Sequence, residues 1–154
     1  MNRTLRSCIV FSFLSLAVGC VSALVTGEFS SVYDGLVLPS FAPPSYVFPI
    51  VWSVLYVLMG VGAGLVQSSP SSKREEAMTW YVLQLAVNFL WPVIFFAQGW
   101  YAAAFGWLCL LLFLVFKMTV RFFKINGTAA YFQIPYVLWL IYAGALDLGA
   151  VILN

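Results

Sequence analysis

Apolar residues along this chain come in long uncharged runs, without the alternation of a half-buried strand. The runs occupy about 8–26, 45–67, 77–98, 100–120 and 128–153. Each is close to or above the roughly 18–20 residues with which an apolar helix spans bilayer hydrocarbon. Within lipid, a helix satisfies its backbone polar groups internally. The pattern predicts an all-α membrane protein: one domain, 1–154, formed as a bundle of five transmembrane helices. Residues 27–44, GEFSSVYDGLVLPSFAPP, form the longest stretch expected to be non-helical. Val32, Tyr33, Leu36, Val37, Leu38 and Phe41 make this stretch half apolar, unlike a solvated linker. Pro43 and Pro44 stop the next helix from extending backward and suit its first turn. The segment is therefore read as a structured lid between the first two spans, in preference to a connector lying on the lipid surface. The 68–76 loop, SSPSSKREE, is short and polar; its charges are assigned to topology and capping.

Composition narrows the class further. Charged residues make up 8% of the chain and hydrophobic ones 64%, whereas soluble domains are about 25% charged. Five spans place Arg3, Arg6, Lys73, Arg74, Arg121 and Lys124 on one face, with Lys117 one turn deeper and able to snorkel to it. The opposite face has no Lys or Arg, so the positive-inside rule puts the N-terminus in the cytoplasm and the C-terminus across the membrane. A net charge of +2 gives no reason to expect nucleic acid as a partner. The chain has no histidine, the commonest metal ligand and general base. Cys8, Cys20 and Cys109 lack metal-site spacing and are read as small buried hydrophobes. No metal and no required cofactor are expected. Arg3 and Arg6 before an apolar stretch and Val21-Ser22-Ala23 resemble a signal peptide, but the uncharged run through Val25 exceeds a typical signal core. It is read as a span.

Candidate chemistry lies on helix faces. Phe48, Trp52, Tyr56 and Met59 recur at helical spacing in the second run; so do Gln84, Asn88, Trp91 and Phe95 in the third, and Pro135, Trp139, Ala143 and Asp147 in the fifth. Polar groups inside spans are costly in lipid and point inward. Facing the three stripes toward one another gives a pocket of indole and phenol rings with a few amide and carboxyl groups. It suits a large, flat, mostly apolar ligand. The same spacing also serves plain helix packing. Asp147 is the sharpest anomaly, an ionisable group inside a span, on the side of the membrane that carries the lid; its alternative is a carboxylate hydrated at the interface. Trp80 and Trp100 mark span ends. Small residues spaced by four (Ser15/Gly19/Ala23/Gly27, Gly60/Gly64, Ala102/Gly106, Ala145/Gly149) permit close helix approach, mainly within the bundle, with one pair available to a dimer interface.

Three segments in order, VYDGLVLPSFAPPSYVFPIVWSVLYVLMG, QLAVNFLWPVIFF and IPYVLWLIYAGALDLGAVILN, resemble the translocator protein family, also called tryptophan-rich sensory proteins or peripheral-type benzodiazepine receptors. The resemblance covers nearly the whole chain. It implies a five-helix bundle, usually a homodimer, that binds porphyrins such as protoporphyrin IX in a pocket beneath the first loop. It also implies binding of cholesterol-like lipids and of benzodiazepine- or isoquinoline-type drugs. By motif position it assigns Tyr33, Pro43 and Pro44 to the lid, and Trp52, Tyr56, Asn88, Trp91, Trp139 and Ala143 to the pocket. Several positions depart from the family pattern: Val32, Leu38 and Phe41 stand where members carry Trp, Lys and Trp, and Asp147 replaces an asparagine. Loss of the lid lysine removes one partner for a porphyrin propionate. No forward Leu/Val–Tyr–Lys/Arg sterol pattern occurs, so porphyrin is favoured over sterol.

The function expected from this reading is tetrapyrrole binding and sensing. The alternative is an enzyme-like, light- and oxygen-dependent degradation of porphyrin with Trp52 and Trp139 in play. Transport of porphyrin or lipid is a third class, opposed by the absence of an internal repeat or a broken-helix pair. The sequence holds no acid–base pair, metal site or nucleophile constellation. Illumination separates the first two, since a binder leaves the porphyrin spectrum intact.

Overall fold

Each uncharged run folds as a helix. The computed structural model describes residues 2–154. Helix α1 spans Arg3–Thr26, the short α2 Phe29–Asp34, α3 Val47–Ser68, α4 Arg74–Pro92, α5 Tyr101–Phe123, α6 Gly127–Tyr131 and α7 Ile134–Leu153. A π-helical turn, Val93–Ala97, prolongs α4. Five helical stretches are long and apolar enough to cross a membrane: Arg3–Thr26, Val47–Ser68, Arg74–Ala97, Tyr101–Phe123 and Gly127–Leu153.

Local chemistry sets the helix ends. The Asn2 side chain accepts from the Thr4 N–H at 3.2 Å and so caps α1. Asn126 caps α6 by accepting from Ala129 N–H at 3.1 Å. Gly27, with φ of 81°, turns the chain out of α1 into the lid, and Gly99, with φ of 66°, turns it from α4 toward α5. Pro92 has no N–H to donate and crowds the preceding turn. Beyond it the helix widens into the π turn, a common response to a broken ladder. In this stretch the adjacent Phe95 and Phe96 are both buried, ring centroids 4.7 Å apart.

Packing follows the small residues. Helix α1 lies against α3 and α4, α5 against α4 and α7, and α3 reaches across to α6 and α7. At the α1–α3 crossing, a Cβ on Gly60 would overlap Ser12 Cα, and one on Gly64 would overlap Cys8 Cα. This closeness lets Ser12 Oγ donate to the Val57 carbonyl at 3.1 Å and Cys8 Sγ to the Val61 carbonyl at 3.6 Å. Gly149 meets the ring of Pro39, so the Ala145/Gly149 pair serves the lid. Around Gly106 there is open space. Met59, Tyr81, Leu108, Leu111, Met118, Phe122 and Leu140 fill the centre, while Phe13, Leu24, Phe113, Leu138 and Ile152 face outward. An apolar exterior over five long helices is the surface a bilayer requires.

Four expectations change. Residues 27–44 are not wholly non-helical: Phe29–Asp34 form α2, a short helix that satisfies its own backbone groups between Gly27 and Gly35. Cys8 is half-buried, and Cys20 and Cys109 face outward; in a lipid-facing surface a thiol needs no burial. Lys117 does not extend toward the basic end: its ammonium turns back over the Phe113 ring, 5.5 Å from the centroid. Side chains on a helix lean toward its N-terminus, and α5 runs toward the basic end. Glu76 is more than a topology residue, since it pairs with Arg121 at 2.9 Å and ties α4 to α5. Both partners are partly exposed, which limits such a pair to about 1 kcal/mol or less.

Candidate ligand cavity and lid

A cavity of about 260 Å³ lies between α1, α3 and α4, just below Gly27 and Phe29 where the lid segment begins. Gly19, Ser22 and Thr26 come from α1, Trp52 and Tyr56 from α3, Asn88 and Trp91 from α4. The walls are mostly carbon. Trp52 lies 5.6 Å from Tyr56 and 5.9 Å from Tyr136, centroid to centroid. The Tyr56 ring occupies the space a side chain at position 19 would need, so Gly19 is required where it stands. Cys20 on α1 and Pro49 and Ser53 on α3 also line the cavity and are exposed. The cavity therefore opens sideways, between the two helices, toward lipid.

Behind the cavity runs a buried chain of hydrogen bonds. Tyr56 donates to Asn88 Oδ1 at 2.7 Å, Asn88 Nδ2 to the Tyr136 hydroxyl at 2.6 Å, and Tyr136 to Gln84 Oε1 at 3.0 Å. Gln84 Nε2 donates to the Met59 sulfur at 3.1 Å. A thioether only accepts, so Met59 fixes which way the Gln84 amide points. That choice propagates outward through Tyr136 and Asn88 to Tyr56. The chain satisfies four polar side chains that apolar surroundings would otherwise penalise heavily.

The lid is anchored at both ends of its course. Tyr33 on α2 is buried, and its hydroxyl donates to the Pro43 carbonyl at 2.8 Å. Burial, with the nearby Tyr142 and Asp34 adding to it, pushes the Tyr33 hydroxyl up to about 12. It therefore keeps the proton that makes this bond. Ser45 donates to Asp34 at 3.2 Å. The outer end of α7 holds the middle of the segment: Tyr142 donates to the Phe41 carbonyl at 2.8 Å, and Asn154 pairs with the Val37 backbone, accepting from its N–H at 3.0 Å and donating to its carbonyl at 2.9 Å. Directly below, Tyr33, Phe48, Trp91, Phe95, Ala143 and Asp147 close around a void of only about 10 Å³, room for a single water at most. Trp91 donates its indole N–H to Asp147 at 3.0 Å.

The predicted site residues thus divide. Phe48, Trp52, Tyr56, Asn88 and Trp91 line the cavity. Tyr33, Phe95, Ala143 and Asp147 belong to the closed cluster under the lid, which shares Phe48 and Trp91 with the cavity. Pro43 and Pro44 form the base of the lid and touch neither space; Pro43 serves Tyr33 through its carbonyl. Trp139 lines neither. It packs edge-on to Phe48 at 5.8 Å and beside Tyr142 at 5.4 Å, and its buried indole nitrogen has no partner among the described residues. Asp147 is buried, not hydrated at the interface. Pro135 faces outward, and the inward face of α7 is Tyr136, Leu140, Ala143 and Asp147. A strict four-residue stripe drifts about 40° per step against a 3.6-residue turn, so Pro135 and Trp139 fall off the face that carries Ala143 and Asp147.

Sequence reasoning missed the α1 wall altogether. Ser22 bonds the Phe89 carbonyl at 2.7 Å and Ser15 the Tyr81 hydroxyl at 2.8 Å. The signal existed in the four-residue spacing of small and hydroxyl residues on α1, but it also describes featureless packing. Among the described residues, no three His, Cys, Asp or Glu side chains gather to hold a metal ion.

Fold and cavity together define a class: an integral, multi-pass membrane protein of five helices, with an internal apolar cavity beneath a structured loop. The model of the TspO/MBR family matches residues 11–153, and the chain belongs to that family. It is 37% identical over 143 residues to protein CrtK of Rhodobacter capsulatus, covering 89% of each chain. It is 36% identical to the human translocator protein over 143 residues, 87% of this chain and 82% of that one. A tryptophan-rich sensory protein of Cereibacter sphaeroides is 32% identical over 145 residues, 92% of this chain and 90% of its own. Family membership and these names support a membrane sensing or binding role.

Proposed function

We propose that this protein binds and senses a tetrapyrrole of the protoporphyrin IX type, taken up from the membrane between α1 and α3 and held against Trp52 and Trp91. The observation that supports this reading most is the aromatic cavity of about 260 Å³ that opens to lipid beneath the lid. Ligand sites of this kind are apolar, concave and sparingly polar, at about 300–1,000 Å³. The cavity is slightly smaller, so a macrocycle extends through the lateral gap or parts the two helices. Sterol-like lipids and benzodiazepine- or isoquinoline-type drugs are further candidates for the same gap, and no cofactor is needed for binding. Two copies pair as a homodimer, and the basic end of the bundle faces the cytoplasm. Titration of the purified protein with protoporphyrin IX in the dark, followed by tryptophan quenching, is expected to saturate. Linear, non-saturating quenching would overturn the reading.

A second reading, photo-oxidative porphyrin degradation, draws on one specific feature: Trp52 is an oxidisable ring at the cavity, with Tyr56 and Tyr136 within 6 Å. Under it, light and oxygen give new protein-dependent absorption bands, and Trp52→Phe reduces them while Trp139→Phe, outside the cavity, does so less.

A further inference from the structure

Four hydroxyl-bearing residues line the cavity, two from each of its facing walls: Ser22 and Thr26 on α1, Ser53 and Tyr56 on α3. Each hydroxyl gives its proton to a protein acceptor. Ser22 donates to the Phe89 carbonyl, Thr26 to the Ser22 carbonyl and Ser53 to the Pro49 carbonyl, each at 2.7 Å. Tyr56 donates to Asn88 Oδ1, also at 2.7 Å. A hydroxyl carries one donor and two lone pairs. Once the donor is committed, only acceptor capacity remains. For Tyr56 the direction is set from afar, because the Met59 sulfur orders the whole chain behind it. The remaining donors are few: the Trp52 indole N–H, which bonds to no described group, the Asn88 N–H not used by Tyr136, and the weak Cys20 S–H. No charged residue lines the cavity.

We infer that the α1/α3 cavity is an acceptor-lined site that selects an uncharged, flat ligand bringing its own N–H or O–H donor. This deepens the ligand-binding reading above and rests on it. A ligand donor meets an oxygen already in place. A ligand acceptor must either use Trp52 or turn a hydroxyl away from its carbonyl, which loses an existing bond. A carboxylate finds no cation and only like-signed lone pairs, so charged substituents stay at the lateral mouth.

The test uses a pair of probes small enough for the cavity and differing in one donor, carbazole and N-methylcarbazole. Affinity is read in detergent-solubilised full-length protein, together with protection of Cys20, which lines the cavity, from a maleimide, located by peptide mapping. Carbazole is expected to bind about fivefold to tenfold tighter, the range of one net hydrogen bond. In the Thr26→Val/Ser53→Ala variant, whose lost hydroxyls bond only within their own helices, the preference is expected to fall to about twofold or less. Met59→Leu, which releases the Gln84 amide without touching the cavity, is expected to weaken it too. Equal affinity of the two probes for the parent protein, with Cys20 protected by both, overturns the inference and leaves the cavity a ligand site. Failure of both carbazoles and of protoporphyrin IX to protect Cys20 removes the site itself.

Discussion

At the residue scale, the two tryptophans that the sequence treats alike are separated by the structure. Trp52 lines the cavity, whereas Trp139 packs behind Phe48. Trp52→Ala is expected to weaken porphyrin binding about tenfold or more, the loss of one large ring contact. Trp139→Ala is expected to act indirectly, through Phe48, and to cost less in affinity than in thermal stability. Isothermal titration and melting of both variants check this; equal affinity losses would return Trp139 to the site. The polar chain makes its own prediction. Tyr136→Phe leaves Asn88 Nδ2 and Gln84 Oε1 without partners in a dry interior, and each orphaned group costs about 1–3 kcal/mol. The variant is expected to melt well below the parent, while the lipid-facing Tyr131→Phe does not.

At the element scale, the lid depends on α7. Asn154 and Val37 exchange two backbone-type bonds, and Pro39 seats on Gly149. Asn154→Ala is expected to speed hydrogen exchange at the Val37 amide about tenfold, with the α3 amides unchanged. Unaltered exchange would mean the outer end of α7 does not hold the lid. The α1–α3 crossing is stricter. Gly60→Leu forces a side chain into the Ser12 backbone, which cannot rotate away, so the helices must separate. Its expected result is a folding yield far below that of Gly106→Leu, where space is open. The contrast lies in what faces each glycine, since both have four-residue partners in sequence.

For the whole molecule, the excess of Lys and Arg at one end predicts an orientation. A reporter after Ser71 is expected to be cytoplasmic and one after Asn154 on the far side; both on one side would remove the odd number of spans. Most of the small-residue positions are already occupied inside the bundle. Gly60 and Gly64 are used by α1, Gly149 by the lid and Gly19 by Tyr56. Ala102 and Gly106 remain exposed on α5, with Cys109 exposed one turn on. A homodimer through this face is expected to give a Cys109–Cys109 cross-link on mild oxidation in membranes, abolished by Gly106→Leu. Dimers that persist without such a cross-link would place the contact on another helix.

The chain by itself determined the number of apolar helices long enough to span a membrane and the segregation of charge. These follow from local quantities: the length of an uncharged run against hydrocarbon thickness, and the excess of Lys and Arg in alternate loops. It also picked out Phe48, Trp52, Tyr56, Asn88 and Trp91, because a polar or aromatic group on one face of a lipid-embedded helix has few places to go. Which stripes share a cavity was decided only by tertiary structure. Periodicity gives each helix a face but no partner, and the sequence reading joined α3 and α4 to α7. The small residues of α1 bring that helix close enough to form the missing wall, and the void against α7 closed around Asp147 instead. The direction of the Tyr56 hydroxyl could not be read from the chain either. It depends on a methionine, a glutamine and a tyrosine from three separate helices meeting at one point in the core.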